Sequence, residues 1–345
     1  MLGPGQRSEC YRTDKAGQPR RRLHPKGGLS SSNDMSADKR DTVMGWVHSA
    51  LERVREFAYT ERPAEAKPPV RPKLGVALGG GFARGIAHVG VLHTLEEHGI
   101  PIDYIAGTSA GALAGIAYAS GLPFEEVVNR AAALRFGVFG QWRFSWLGLA
   151  SNQRLEFYPK RYLNITTFEE LRIPVTIAAT DLITGEPVYF DHGPLGPPLR
   201  ASCAYPGLFQ PVEYEGRTLV DGFVGATVPV EAVAKMGADV IIAVFLDAEA
   251  MVKPTNFTDV IGRSFTIIQR HADLAWRSRA DVVIEPRVRD FAWDDFGKTP
   301  QLIAAGKEAM LAAMPRVRTA LEAAIEHAAA NAPRDIATGT GWGNR

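Results

Sequence analysis

The residues best suited to chemistry lie in Gly107-Thr108-Ser109-Ala110-Gly111, a G-x-S-x-G sequence entered from the apolar Tyr104-Ile105-Ala106 and left through Ala112-Leu113-Ala114-Gly115-Ile116-Ala117. A serine on a tight strand-to-helix turn is pushed out of the backbone with its hydroxyl accessible, while small neighbours let the chain turn without a clash. The helix that starts there aims free N–H groups at anything bound beside the serine. Gly, Ser and Ala at a strand exit also make ordinary turns, so the chemistry depends on what partners the rest of the chain supplies.

A second glycine cluster, Gly79-Gly80-Gly81-Phe82-Ala83-Arg84-Gly85, stands upstream at a strand end and also opens a helix. Three readings fit it: a bare turn, a dinucleotide loop or an oxyanion hole. Its spacing is G-x-G-x-x-x-G where dinucleotide loops carry G-x-G-x-x-G, and the next strand ends in the serine turn where a ribose-binding acidic residue is expected. An oxyanion hole needs backbone N–H groups that approach a developing negative charge, which glycine permits by leaving no side chain in the way. Arg84 adds fixed positive charge to the same loop. Both glycine turns begin helices off neighbouring strands, so they can converge at the carboxyl edge of one sheet.

A nucleophilic serine needs a base. His24 and His48 precede the body of the chain, and His88, His93 and His98 fall at intervals of five, which spreads them around one helix and argues against a metal site. His192, His271 and His327 remain as triad candidates, but none stands in a tight, small-residue context that would fix an imidazole beside the serine, and solvated or core histidine is the better reading of each. Asp221 follows the apolar Thr218-Leu219-Val220 and precedes Gly222, a carboxylate at a strand end on a turn. A carboxylate of ordinary pKa, about 3.9, is a feeble base, so Asp221 activates serine only if burial raises its pKa toward neutrality. Asp181, in Thr180-Asp181-Leu182, competes for the same role.

The elements that must position these residues read as an α/β fold. Apolar runs at Leu74–Leu78, Ile102–Ala106, Val175–Ala179, Val188–Phe190, Asp239–Leu246 and Val282–Glu285 are strand candidates, with a hairpin between Val212 and Val220 turning at Glu215-Gly216. Helical segments from Gly85 to His98 and after Ser109 alternate with them, which predicts right-handed crossovers and a largely parallel sheet with helices on both faces. Long helices over Thr255–Arg279 and from Pro300 to about Ala330 are expected to cover it. The segment 134–162 interrupts the alternation and is crowded with aromatics, among them Phe136, Phe139, Trp142, Phe144, Trp146, Phe157 and Tyr158. Buried packing of an inserted cap is the first expectation there; an apolar lid that meets a lipid chain is the second.

Ahead of this body, which spans 73–330, residues 1–40 are rich in Gly, Pro, Ser and Arg and are read as a disordered basic tail. Residues 41–72 read as an amphipathic helix followed by a Pro-rich linker, and 331–345 as a second disordered tail. A net charge of +1 over 345 residues argues against a nucleic-acid protein as a whole. The 2 cysteines, Cys10 and Cys203, lie far apart, so a disulfide framework is not expected, and a reducing cytoplasm fits best. The longest clean apolar run, Val240–Leu246, is far too short to span a bilayer, so any membrane contact is expected to be peripheral.

From about Lys73 to Met310 the chain resembles a bacterial member of the patatin-like phospholipase family. The glycine cluster with Arg84 is similar to that family's oxyanion signature, Gly107 to Gly111 to its serine elbow and Asp221-Gly222 to its Asp-Gly box; Ala179–Gly185 and Ala201–Gly207 resemble two further segments. The resemblance implies a three-layer α/β/α sandwich and a Ser109–Asp221 dyad without histidine, metal or cofactor. It further implies an oxyanion held by Gly80, Gly81 and Ala110 beside Arg84, and a phospholipid or other lipid ester as substrate. The chain departs from the family at Phe223, a bulky ring where a small residue is usual, and lacks the family's later Asn-Pro. That ring is expected either to exclude water from Asp221 or to crowd the pocket. A non-catalytic homologue that keeps the fold and a nucleotide-binding oxidoreductase are the rival readings.

Overall fold

In a computed structural model the chain divides into two units, Met1–Pro68 and Pro69–Arg345. The structure describes residues 71–247, 253–254 and 257–331, together with His48, Ser49 and Glu52. The expected basic tail, most of the amphipathic helix and linker, and the C-terminal tail beyond Asn331 lie outside the described residues.

The second unit is built on one mixed sheet. Its elements run β1 (Leu74–Leu78), α1 (Ala87–Glu97), β2 (Tyr104–Thr108), α2 (Ala110–Ala119), α3 (Phe124–Ala132), the single turn α4 (Phe136–Phe139), β3 (Gln141–Ser145), β4 (Gly148–Ser151), β5 (Val175–Asp181) and β6 (Pro187–Phe190). Then follow α5 (Gly196–Ser202), β7 (Val212–Tyr214), β8 (Arg217–Asp221), α6 (Val230–Lys235), β9 (Val240–Val244), α7 (Phe257–Arg277), β10 (Val282–Ile284) and α8 (Thr299–Asn331). The strand order is β10-β9-β1-β2-β5-β8-β7, with β6 also on β5. The pairs from β10 to β5 are parallel, and the pairings of β5 with β6 and β8, and of β7 with β8, are antiparallel. The largely parallel expectation therefore holds for the half that carries both glycine turns.

Burial follows from this layout. β1 and β9 are buried along their whole length, as strands covered on both faces must be. Leu74, Val76 and Leu78 turn one face toward a core shared with Leu92, Leu95, Ile116 and Met310, contributed by α1, α2 and α8. Ala77, Ala106, Ile241 and Ala243 turn the other toward Val230 and Val233 of α6, with Trp276 of α7 packed beside them. Helices on both faces make the three layers. Among the described residues no helix is long and apolar enough to cross a membrane.

Segment 134–162 departs from its first expectation. It forms the small two-stranded sheet β3–β4, and Trp142, Phe144, Trp146 and Phe157 are exposed, whereas Tyr158 is buried. The aromatics serve two purposes that composition alone cannot separate: some fill the body, others face outward.

Candidate active site

Register explains why three distant motifs meet. Leu78 at the end of β1 lies opposite Gly107, so the glycine cluster leaves the sheet beside the serine turn. Thr108 lies opposite Ala178 on β5, and the next residue of β5, Ala179, is paired on its other side with Asp221. Ser109 and Asp221 thus start about two strand spacings, roughly 10 Å, apart. Gly222 closes that gap: a Cβ there would sit 2.3 Å from the Ala178 carbonyl oxygen, so only glycine lets the chain fold across β5 toward Thr108. The crossing is pinned by Thr108 Oγ1 donating to the Ala226 carbonyl (2.8 Å) and by Thr180 Oγ1 donating to the Asp221 carbonyl (3.1 Å).

At the end of this crossing the Ser109 side chain and the Asp221 carboxylate face the same cavity, near enough for Ser109 to act on the Asp221 pKa. Asp221 is 1% exposed and accepts a bond from the Phe223 N–H at 3.0 Å. Burial pushes its pKa up to about 7, with the Phe223 N–H and the nearby Ser109 side chain pulling the other way. Desolvation disfavours the charged form, and this is the condition under which a carboxylate becomes a base useful near neutral pH. Asp181 does not share it: the Ile183 and Thr184 N–H groups and Arg217 hold its pKa below the usual carboxylate range. It stitches a turn.

Ser109 has φ 54°, a left-handed conformation rare for a side chain with a Cβ, and it occupies the N-cap of α2. Its own N–H is tied to Ser202 Oγ at 2.8 Å. Gly111 lies against β1, where a Cβ would be 2.2 Å from the Leu78 carbonyl oxygen, and Gly85 lies against Ala110. These approaches lock the two glycine turns side by side. Gly107 occupies β2 and Gly79 donates its N–H to the Val244 carbonyl (3.0 Å). Gly80, Gly81, Arg84, Ser109 and Asp221 all line one cavity of about 680 Å³. Ala110, the first residue of α2, instead lines an adjoining apolar pocket of about 50 Å³ with Leu134, Phe139 and Tyr158. Arg84 is buried, and Asp247 and Tyr205 offset part of the cost of burying its charge.

Aromatic rings line much of the cavity, beginning in the glycine loop itself. Phe82, itself at φ 51°, meets Tyr205 and Trp293 edge-on, and Tyr205 and Phe223 each pack on Phe265. Phe223 thus forms part of a wall, and the cavity stays open beside it. Sequence reasoning missed Ser202, Tyr205, Phe265 and Trp293; only the likeness of the 201–207 segment to a family motif signalled the first two. Cys203 is buried in contact with the Ser109 hydroxyl, its thiol pushed up by burial and by the Asp221 charge, so it stays protonated.

None of the described residues lining the cavity is a histidine. His192 is exposed beside Asp191, His327 pairs with Asn331, and the side chain of His271 lies outside the described residues. His88 has a structural part instead. Fully buried, it donates from Nε2 to the Gly79 carbonyl at 2.8 Å, tying α1 back to the start of the glycine loop. Burial lowers its pKa to about 4. The unfolded chain therefore takes up a proton below about 6.5 that the folded chain refuses until about 4, so stability on the order of 3 kcal/mol is lost as pH falls through that window. His88→Gln keeps a donor without the titration. Its urea midpoint should lie below wild type at pH 7, and the gap should narrow toward pH 4.

A patatin-like phospholipase family model matches residues 76–234. Over 192 residues, 54% of this chain and 53% of the relative, the sequence is 37% identical to an uncharacterised NTE family protein of Mycobacterium tuberculosis. Over 265 residues, 72% of this chain and 17% of the relative, it is 30% identical to lysophospholipase NTE1 of Scheffersomyces stipitis. The chain thus spans about half the length of the mycobacterial relative and a smaller share of the yeast one. Among solved structures it is similar to human GIVD cytosolic phospholipase A2 in complex with methyl gamma-linolenyl fluorophosphonate, at TM-score 0.44 and 12% identity, covering 75% of this chain and 60% of that one.

Proposed function

Because this chain belongs to the patatin-like phospholipase family through its domain at residues 76–234, we propose that it hydrolyses the acyl ester of a phospholipid, lysophospholipid or related lipid through a Ser109–Asp221 dyad. The observation that carries the proposal is that Ser109 and a fully buried Asp221, whose pKa burial raises to about 7, meet at one cavity beside the glycine loop.

In this reading Ser109 Oγ attacks the ester carbonyl carbon while its proton passes to Asp221. The carbonyl oxygen becomes an oxyanion held by the N–H groups of Gly80, Gly81 and Ala110, with the Arg84 charge nearby. Collapse of the tetrahedral intermediate breaks the ester C–O bond, and the leaving alcohol takes the proton from Asp221. The acyl group is then on Ser109. Water, deprotonated by Asp221, attacks the acyl carbonyl, and the fatty acid leaves as Ser109 recovers its proton. The aromatic wall and the apolar pocket beside Ala110 supply surface for the acyl chain.

The test is turnover of p-nitrophenyl butyrate and labelling by a fluorophosphonate probe. Wild type is expected to show both and Ser109→Ala neither. A wild-type protein that neither turns over the ester nor takes the label would overturn the hydrolase reading in favour of a non-catalytic homologue.

A further inference from the structure

The β3–β4 hairpin breaks the usual logic of a solvated turn. Hairpin tips normally carry Gly, Asn, Asp or Ser, whose backbone freedom or polar side chains suit water. Here Ser145 pairs with Gly148, so the two tip residues are Trp146 and Leu147, which are 104% and 71% exposed. Phe144 behind them is 78% exposed, and Trp142 is 59% exposed. Trp142 and Phe144 stack on each other. Four large apolar side chains in six residues, standing in water, form a patch that a monomeric soluble domain rarely leaves uncovered.

The hairpin is held firmly enough to present this patch. The Leu149 and Ala150 N–H groups both donate to the Leu208 carbonyl, Ala150 is bridged to Phe209, and Gln210 Nε2 donates to Ser145 Oγ at 2.9 Å. One side of β4 is therefore docked on the body while β3 faces outward. The same hairpin is a wall of the catalytic cavity, since Trp142 and Leu149 line it. Ile261 of α7 also lines the cavity, and its neighbour Val260 is 52% exposed.

Charge identifies the occupant. The charged residues lining the cavity are Arg84, Lys253, Arg263 and Arg277 against Asp221 and Asp247; Arg84 is buried and Arg277 pairs with Glu285, while Lys253 is exposed, as is Arg143 on the face of β3 opposite the two stacked aromatics. Exposed aromatics on a hairpin that also carries the exposed Arg143, beside a cavity edged by the exposed Lys253, match a lipid surface with anionic headgroups: the rings reach the acyl boundary and the cations stay at headgroup level. A second copy of this chain offers no comparable surplus of negative charge, since its formal net charge is also +1.

We propose that the β3–β4 hairpin is a membrane-docking element that seats the mouth of the cavity on an anionic lipid surface, so that substrate passes from the bilayer to Ser109 along Trp142. This rests on the reading of the cavity as a lipid-ester site. Trp146 and Leu147 line neither the cavity nor the smaller pocket, so they can be changed without touching the chemistry.

The full chain is co-sedimented with phosphatidylcholine vesicles and with vesicles that also contain phosphatidylglycerol, alongside a Trp146→Ser/Leu147→Ser variant. Wild type is expected to partition onto the mixed vesicles more strongly than onto the neutral ones. The variant is expected to partition roughly tenfold or more weakly than wild type, because two large apolar side chains no longer leave water. Its turnover of soluble p-nitrophenyl butyrate should be unchanged, which shows that it is folded. Equal vesicle binding by both proteins overturns the proposal, as does a wild type that sediments as a dimer where the variant is a monomer. Vesicle binding that depends on Trp146 and Leu147 in a protein without esterase activity would sink the hydrolase reading and leave docking intact.

Discussion

Asp221→Asn is expected to lower ester turnover by about 10³-fold or more while raising the stability of the fold. The two effects share one cause. Asp221 is fully buried, and burial lifts its pKa from 3.8 to about 7. A group whose folded pKa is raised stabilises the fold below its unfolded pKa, and that contribution is lost as pH rises through the folded value. Between about pH 4 and pH 7 the wild type should therefore lose on the order of 4 kcal/mol, some 3 pKa units at 1.36 kcal/mol each, relative to a chain without this carboxylate. Asn keeps an oxygen to accept the Phe223 N–H and carries no charge to desolvate. Urea unfolding at pH 4 should scarcely separate the two proteins, and at pH 8 the variant should be clearly the more stable. Turnover moves oppositely, because removal of a general base typically costs about 10²–10⁴-fold. For wild type, kcat/KM should rise with pH about an apparent pKa near 7 and then level off. A variant that is inactive and also destabilised at pH 8 would show that Asp221 has a structural partner the dyad does not require.

Two glycines of the site should fail in opposite ways when changed to alanine. At Gly111 the new Cβ would stand 2.2 Å from the Leu78 carbonyl oxygen and 2.6 Å from its carbon, both backbone atoms of β1 that cannot step aside. The expected cost is on the order of 4 kcal/mol or more, a large share of the roughly 5–15 kcal/mol that holds a domain together. The protein should lose its cooperative melting transition. At Gly80 the added Cβ would meet Ser109 Cβ at 3.6 Å, Phe223 Cβ at 3.8 Å and Thr108 Cγ2 at 3.9 Å, all ordinary contacts. Nor is its φ positive. Gly80→Ala should fold within about 1 kcal/mol of wild type, yet it sets a methyl group between the loop and the nucleophile where the oxyanion must form. Loss of one oxyanion donor costs about 10²–10³-fold in kcat, and a similar loss is expected here. A folded, fully active Gly80→Ala would move the oxyanion site off this loop.

Much of this site is local and therefore legible in the chain itself. The G-x-S-x-G turn needs only a strand before it, a helix after it and small residues within it, and all three are sequence neighbours of Ser109. The glycine cluster 79–85 is legible for the same reason, as is the hairpin at Glu215-Gly216, whose residues both have positive φ. The alternation of apolar runs and helical segments announces the parallel half of the sheet because each βα unit closes within a few tens of residues.

What tertiary structure alone decided is the set of distances and dielectric conditions between segments far apart in sequence. Asp181 and Asp221 both stand at strand ends before a turn, and nothing in their neighbours separates a stitched turn carboxylate from a buried base. The antiparallel register of β8 on β5, with Gly222 against Ala178, makes the difference, since it removes Asp221 from water and leaves Asp181 among donors. The aromatics of 134–162 divided in the same way, because whether a ring is core or surface depends on what packs against it. Local spacing marks the candidate nucleophile; long-range packing separates the two candidate carboxylates, since a pKa is set by the solvent a group has lost and the charges it meets.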